Sequence, residues 1–209
     1  MKTRLIAIAG GSGSGKTWLA RELQQRLGTR ARSLCLDHFY RDRSHLTLRE
    51  RQHLNFDHPR ALDWDRFLEA ISRLRRGWSA QVPDYDFTIS SRSGPDRRMP
   101  PSPLVMVDGL WPFHWDTTRP MYALTVFVDS TAEERLGRLL SRDPVERARP
   151  RRAVERHFWE HVEPMHQRFV APQRDAADLV IQAPVSAAVV HRLARRMNAL
   201  IEAPALEVA

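Results

Sequence analysis

The stretch LIAIAGGSGSGKTWLARELQQRLG, residues 5–28, reads as strand, glycine-rich loop and helix. Residues 5–9 are apolar without a break, which reads as a strand buried on both faces. Residues 16–27 follow a helical pattern, and Gly28 supplies its stop. Between strand and helix, Gly10, Gly15, Lys16 and Thr17 match G-x-x-x-x-G-K-[ST] in full, with Gly11, Ser12, Gly13 and Ser14 at the variable positions. Such small residues let backbone N–H groups turn inward around an anion. The Lys16 ammonium then reaches the outer phosphates of a nucleotide, and the Thr17 hydroxyl is placed for Mg²⁺. A merely flexible Gly/Ser loop needs neither the strand before it nor the helix after it. Residues 10–17 are therefore expected to hold a polyphosphate.

Working outward, apolar runs at 33–36, 104–107, 124–128 and 179–181 alternate with helical patterns at 63–76, 152–170 and 185–201. Ser130, Thr131, Glu133 and Glu134 form two overlapping capping boxes, so another helix starts there and runs to about Arg142. The alternation predicts an α/β fold, a mostly parallel sheet between layers of helices, in one domain spanning residues 1–209. In the 63–76 helix, Phe67, Leu68, Ile71 and Leu74 share a side and Gly77 ends it. Pro164 is expected to interrupt the 152–170 helix. Residues 78–103, rich in Pro, Ser and Arg, read as a hairpin insertion with an extended piece at 85–89. Residues 143–150 are charged and flanked by prolines, and are expected to be mobile.

Composition narrows the function. The 209 residues are 42% hydrophobic and 28% charged, an ordinary globular balance. No apolar run nears the ~18 residues of a membrane span, so no membrane partner is expected. The N-terminal apolar segment is too short for a signal peptide and has no small-residue cleavage pattern. The single cysteine, Cys35, excludes an internal disulfide framework, fits a reducing cytoplasm and reads as core filling. The net charge of +8 invites a nucleic-acid reading, which the composition argues against. Only Lys2 and Lys16 are lysines among 33 basic residues, so arginine is the default cation and scattered arginines say little about partners. The same bias makes Lys16 informative, because a compact ammonium fits among phosphate oxygens where a planar guanidinium does not.

Three aspartates, Asp37, Asp108 and Asp129, close three apolar runs, and strand C-termini line the ligand crevice of an open parallel sheet. Each is a candidate for metal, for base or for a turn cap. A GTPase of the Asn-Lys-x-Asp type is excluded, because neither lysine sits in that element. A motor-type ATPase is disfavoured, because 209 residues leave little room for its partner-binding apparatus. A small-molecule kinase fits: it needs a phosphate loop, Mg²⁺, a base near the acceptor hydroxyl and a cationic lid. Arg135, Arg138 and Arg142 fall on one helix face at i, i+3 and i+7, opposite Leu136, Leu139 and Leu140. Arg147 and Arg149 follow, so residues 143–152 read as an Arg-rich lid. The alternative is a solvated basic face in an arginine-rich chain.

An ordered series accompanies the phosphate loop: LDHFY at 36–40, NFDHPRALD at 55–63, PDYDF at 83–87, VDGLW at 107–111, VFVD at 126–129, SRDPVERAR at 141–149, PMHQRFVAP at 164–172 and ADLVI at 177–181. On this series the chain resembles the uridine kinase family, within the phosphoribulokinase/uridine kinase group, over residues 4–182. The resemblance implies an ATP-dependent kinase that phosphorylates the 5′-hydroxyl of a nucleoside with Mg²⁺, GTP being the alternative donor. It implies Asp37 as the catalytic aspartate that takes the hydroxyl proton, late in a loose transition state. Asp57 would grip ribose hydroxyls, and Tyr85 and Phe87 would form the wall beside the base. Arg142 and Arg147 would close over the triphosphate, and Arg149 would reach the nucleoside side. Thr17, Asp37 and Asp108 would serve the metal, and Asp129 would be structural. Members of the family often assemble as homo-oligomers.

The departures cluster on the acceptor side. Ser90 stands where the family carries a histidine against the base edge. Leu139 replaces the second of two paired arginines, and His157 replaces a glutamine on the nucleoside side. Ala148 takes a glycine's place in the lid turn, and Asp108-Gly109 replaces Glu-Gly. Losing a hydrogen-bond partner at a buried polar site costs ~1–3 kcal/mol. Another hydroxyl acceptor (a sugar phosphate, a pantothenate-like molecule or nicotinamide riboside) is thus the alternative substrate. A nucleotide-dependent binding protein without kinase activity is the third reading.

Overall fold

Strand β1 (Arg4–Gly10) lies at the centre of a five-stranded parallel sheet. The computed structural model of the protein describes residues 2–146 and 150–203. Helix α1 (Lys16–Leu27) leads from the phosphate loop to β2 (Ala31–Cys35), and β7 (Leu104–Gly109), β8 (Leu124–Asp129) and β9 (Leu179–Gln182) complete the sheet in the order β2-β7-β1-β8-β9. Side chains alternate across a strand, so β1 feeds two cores. Leu5, Ala7 and Ala9 pack with Phe67, Ile71 and Leu74 of α3 (Trp64–Arg75). Ile6 and Ile8 pack on the other face with Leu19 and Leu23 of α1 and with Leu193 and Met197 of α7 (Ala187–Glu202). This is the expected three-layer arrangement.

The insertion is built from two small antiparallel pairs. β3 (Ala80–Val82) pairs with β6 (Arg97–Met99), and β4 (Tyr85–Asp86) with β5 (Ser91–Arg92). The extended piece is shorter than the expected 85–89. The Asp86 carboxylate accepts bonds from the Thr88 N–H (2.7 Å) and hydroxyl (2.6 Å), which turns the chain early.

Two helical expectations change. Helix α4 (Ala132–Glu146) runs past Arg142 with Pro144 inside it. Proline cannot donate to the carbonyl four residues back, and here that carbonyl, on Leu140, accepts a bond from Arg151 Nη1 at 3.0 Å. Residues 143–146 of the expected mobile segment are therefore helical, and residues 147–149 lie outside the described residues. Nor does Pro164 break its helix. The chain stays helical through α5 (Arg151–His157), a wide turn at Phe158–Val162, α6 (Glu163–Met165) and a second wide turn at His166–Val170. Wide turns shift the hydrogen-bond register and accommodate the proline ring. Of the two capping boxes only one forms: Thr131 Oγ1 accepts from Glu134 N at 3.2 Å, and Glu134 Oε2 from Thr131 N at 3.1 Å.

The helical region α5 to His166–Val170 packs on α4 through Leu139, Val154, Phe158 and Val162. It thereby holds α4 over the C-terminal edge of the sheet. A short 48–52 helix, α2 (Leu48–Gln52), completes the path from β2 to α3.

Candidate active site

The phosphate loop turns on two glycines with left-handed backbone, Gly13 (φ 81°) and Gly15 (φ 96°). Gly13 is also sterically confined, since a Cβ there would lie 2.5 Å from the Arg135 carbonyl oxygen. Ser14 N–H donates to the Gly11 carbonyl at 3.0 Å, and Lys16 Nζ donates to the same oxygen at 3.3 Å. Burial holds the Lys16 pKa below its ordinary value, although Asp37 and Asp108 pull it up. Behind Lys16, Thr17 Oγ1 donates to Asp108 Oδ2 at 2.7 Å. Burial also raises the Asp108 pKa, against the Thr17 hydrogen bond and the Lys16 charge. Both charges are thus poised to gain from new partners, phosphate oxygens at Lys16 and a cation at the Thr17–Asp108 pair.

A cleft of about 540 Å³ runs from this loop across the sheet's C-terminal edge. Ser12, Gly13, Gly15, Lys16, Thr17, Asp37, Asp57, Tyr85, Phe87, Ser90, Arg142 and His157 all line it. Gly10, Gly11, Ser14 and Asp108 stand behind that lining. Arg147 and Arg149 lie outside the described residues. Asp37 sits in the tight turn Leu36–Phe39 that follows β2, and its Oδ1 is buried with no hydrogen-bond partner among the described residues. Such an oxygen costs ~1–3 kcal/mol unless something donates to it. Across the cleft, Asp57 N–H donates to Asn55 Oδ1 at 3.0 Å, and Asp57 Oδ2 lies 3.6 Å from His157 Nε2. Tyr85 and Phe87 meet edge-on at 5.2 Å between centroids, and Tyr40 joins them 5.4 Å from Tyr85. Ser90 is buried at the hairpin turn with a left-handed backbone, φ 52°.

The arginine face of α4 meets the loop rather than open solvent. Arg138 Nη1 donates to the Gly13 carbonyl at 3.0 Å, and Arg142 Nε donates to Asp143 Oδ1 at 2.7 Å. Arg135 departs from the expected lid role. It is 1% exposed, paired with Glu163 and stacked 5.4 Å from the Phe158 ring. Cys35, expected as core filling, is half-buried and lines the cleft floor. Asp129 is held by Arg174 Nε and Gln182 Nε2, each at 3.0 Å.

Trp18, Arg21, His38 and Phe56 are among the lining residues that the sequence pattern did not single out. Trp18 carried a readable signal, a large ring directly after the phosphate loop, and it is 47% exposed. His38 carried none, because burial beside Phe87 (6.2 Å) depends on the insertion folding back.

Among the described residues no three His, Cys, Asp or Glu side chains gather into a metal nest, and no helix is long and apolar enough to cross a membrane. Mg²⁺ bound mostly by phosphates and water requires no such nest. The Thr17 hydroxyl on a buried carboxylate is a donor set that suits it.

The sequence profile described as the Phosphoribulokinase / Uridine kinase family matches residues 5–189. The uridine kinase of Staphylococcus haemolyticus is 39% identical over 180 residues, covering 86% of this chain and 87% of that protein. The uridine kinase of Staphylococcus aureus is 37% identical over 180 residues, with the same coverage. Among solved structures, phosphoribulokinase from Rhodobacter spheroides shares the fold at TM-score 0.66 and 16% identity, over 87% of this chain and 70% of that one. The chain belongs to the phosphoribulokinase/uridine kinase family.

Proposed function

We propose that this kinase transfers the γ-phosphoryl group of ATP to the 5′-hydroxyl of a pyrimidine nucleoside. The observation that carries the reading is the shared cleft: the phosphate loop, the Asp37 carboxylate, Asp57 and an aromatic wall all face one space. Its relatives' name, uridine kinase, points the same way. The loop N–H groups and Lys16 would hold the triphosphate, with Thr17 and Asp108 serving Mg²⁺, which when bound offsets phosphate charge. Asp37 would accept the hydroxyl proton as the new O–P bond forms, and the electron pair of the breaking bond would leave on ADP. Asp57 would orient the ribose diol, and Tyr85 and Phe87 would face the base. Arg138, Arg142 and the 143–152 lid would exclude water, which protects ATP from hydrolysis. The single cysteine suits a cytoplasmic location.

A second acceptor class is favoured by one contact. His157 stands 3.6 Å from Asp57, so the carboxylate meant for a diol already has a neighbour able to donate to it. An acceptor panel tests both readings: purified protein, ATP, Mg²⁺ and either nucleosides or other hydroxyl compounds, with products read by mass. A uridine or cytidine 5′-monophosphate supports the first reading. Product only from a non-nucleoside alcohol replaces it with the second.

A further inference from the structure

A second cleft opens at the other end of β1. The strand begins at Arg4 and delivers the phosphate loop at Gly10, and seven residues at about 3.3 Å each put roughly 20 Å between the two ends. This cleft has a volume of about 570 Å³ and lies between the start of β1, the last turn of α3 and residues 120–123. Four cations line it, Lys2, Arg4, Arg75 and Arg76, and no carboxylate does so among the described residues. Basic residues at a helix C-terminus answer the helix dipole. That accounts for Arg75 and Arg76 at the end of α3 but not for Lys2 and Arg4, which converge from a different element.

The cations are only partly employed. Arg4 Nη2 donates to the Ala203 carbonyl at 3.0 Å. Among the described residues, the Lys2 and Arg75 side chains have no hydrogen-bond or ion-pair partner. Tyr122 also lines the cleft, and its buried hydroxyl has no partner among the described residues. Beside the cleft, Trp78 is 53% exposed, with the guanidinium carbons of Arg73 at 5.8 Å and Arg76 at 5.6 Å from its ring. Arg76 therefore joins the cationic cleft to an exposed aromatic face.

We propose that this cleft is a second, non-catalytic site for a nucleoside polyphosphate, with phosphates among Lys2, Arg75 and Arg76 and the base against Trp78. A polyanion relieves the mutual repulsion of converging cations. Guanidinium forks match phosphate oxygens in pairs, and an exposed indole offers a stacking platform to any base. The site is independent of which acceptor the kinase uses.

The test uses the full chain and the probe β,γ-imido-ATP, followed by titration calorimetry. In Lys16→Ala, where the phosphate loop is disabled, one binding event should remain. Adding Lys2→Gln and Arg75→Gln should weaken it by more than about tenfold. Adding Trp78→Ala should weaken the nucleotide by roughly tenfold and leave inorganic tripolyphosphate unchanged. Hydrogen exchange in Lys16→Ala alone, which needs no cleft substitution, should show protection at residues 119–123 on adding nucleotide. No residual binding in Lys16→Ala, or residual binding indifferent to Lys2→Gln/Arg75→Gln, overturns the site. Tripolyphosphate binding as tightly as the nucleotide, with Trp78→Ala silent, overturns the nucleotide assignment.

Discussion

Arg135→Met removes a charge that the fold has buried. Arg135 is 1% exposed, and its guanidinium is paired with Glu163. Methionine keeps most of the aliphatic stem but leaves the Glu163 carboxylate, 16% exposed, with its 2.7 Å bond from Gln167 Nε2 and without the Arg135 charge. Breaking a buried pair from one side costs about 3–5 kcal/mol. With a urea dependence of roughly 2–3 kcal/mol/M, the unfolding midpoint should fall by about 1–2.5 M. Arg135→Met/Glu163→Gln removes both charges and should recover most of that loss. The pair also has a pH signature. Burial pushes the Glu163 carboxyl up, but hydrogen bonds from Gln167 and Arg135 outweigh it and leave the pKa below 4.5. A lowered carboxylate stabilises the fold above its unfolded pKa, and the effect is lost as pH falls through the folded value. That acid-side loss should shrink in Arg135→Met. Urea unfolding followed by far-UV circular dichroism reads all three. A single variant with the wild-type midpoint, or a double variant no better than the single, would contradict a stabilising Arg135–Glu163 pair.

Glycine positions in the loop should differ in kind. Gly13→Ala meets both a left-handed φ and the Arg135 carbonyl at 2.5 Å, whereas Gly15→Ala meets the φ alone, with open space around it. Nucleotide affinity should drop further in Gly13→Ala, as measured with a fluorescent ATP analogue. Thr17→Val removes the 2.7 Å bond to Asp108 and should raise the Mg²⁺ concentration for half-maximal rate by about tenfold or more. Burial, then the nearby Arg135 charge, holds His166 at about 4, against an ordinary 6.5. The unfolded chain binds that proton first, so acidification from 6.5 to 4 should cost roughly 2–4 kcal/mol through His166 alone. Unfolding midpoints across that range should flatten in His166→Gln.

The phosphate loop and the sheet are legible in residues 5–28 because local patterns determine both. A short apolar run, small residues and a helix stop each act within a few residues of one another. The role of Arg135 is not legible this way. Spacing at i, i+3 and i+7 places three arginines on one face without saying what that face meets. The partner of Arg135 there, Glu163, lies 28 residues onward. Pro144 likewise looks like a helix end until Arg151 is seen to take the carbonyl that the proline leaves free. The contact between Asp57 and His157 joins a loop before α3 to the end of α5, and only the packing of α5 on α4 brings them together. Arg147 and Arg149, expected in the lid, lie outside the described residues, so their part rests on the sequence pattern.

Asp37→Asn is the most direct test of an organic hydroxyl activated in this cleft. The substitution keeps the side chain's shape and removes its capacity to accept a proton. Single-turnover phosphoryl transfer to the best acceptor should fall by at least about a hundredfold, with ATP-analogue affinity within about twofold of wild type. Transfer at the wild-type rate, or loss of nucleotide binding in step with activity, would contradict Asp37 as the proton acceptor.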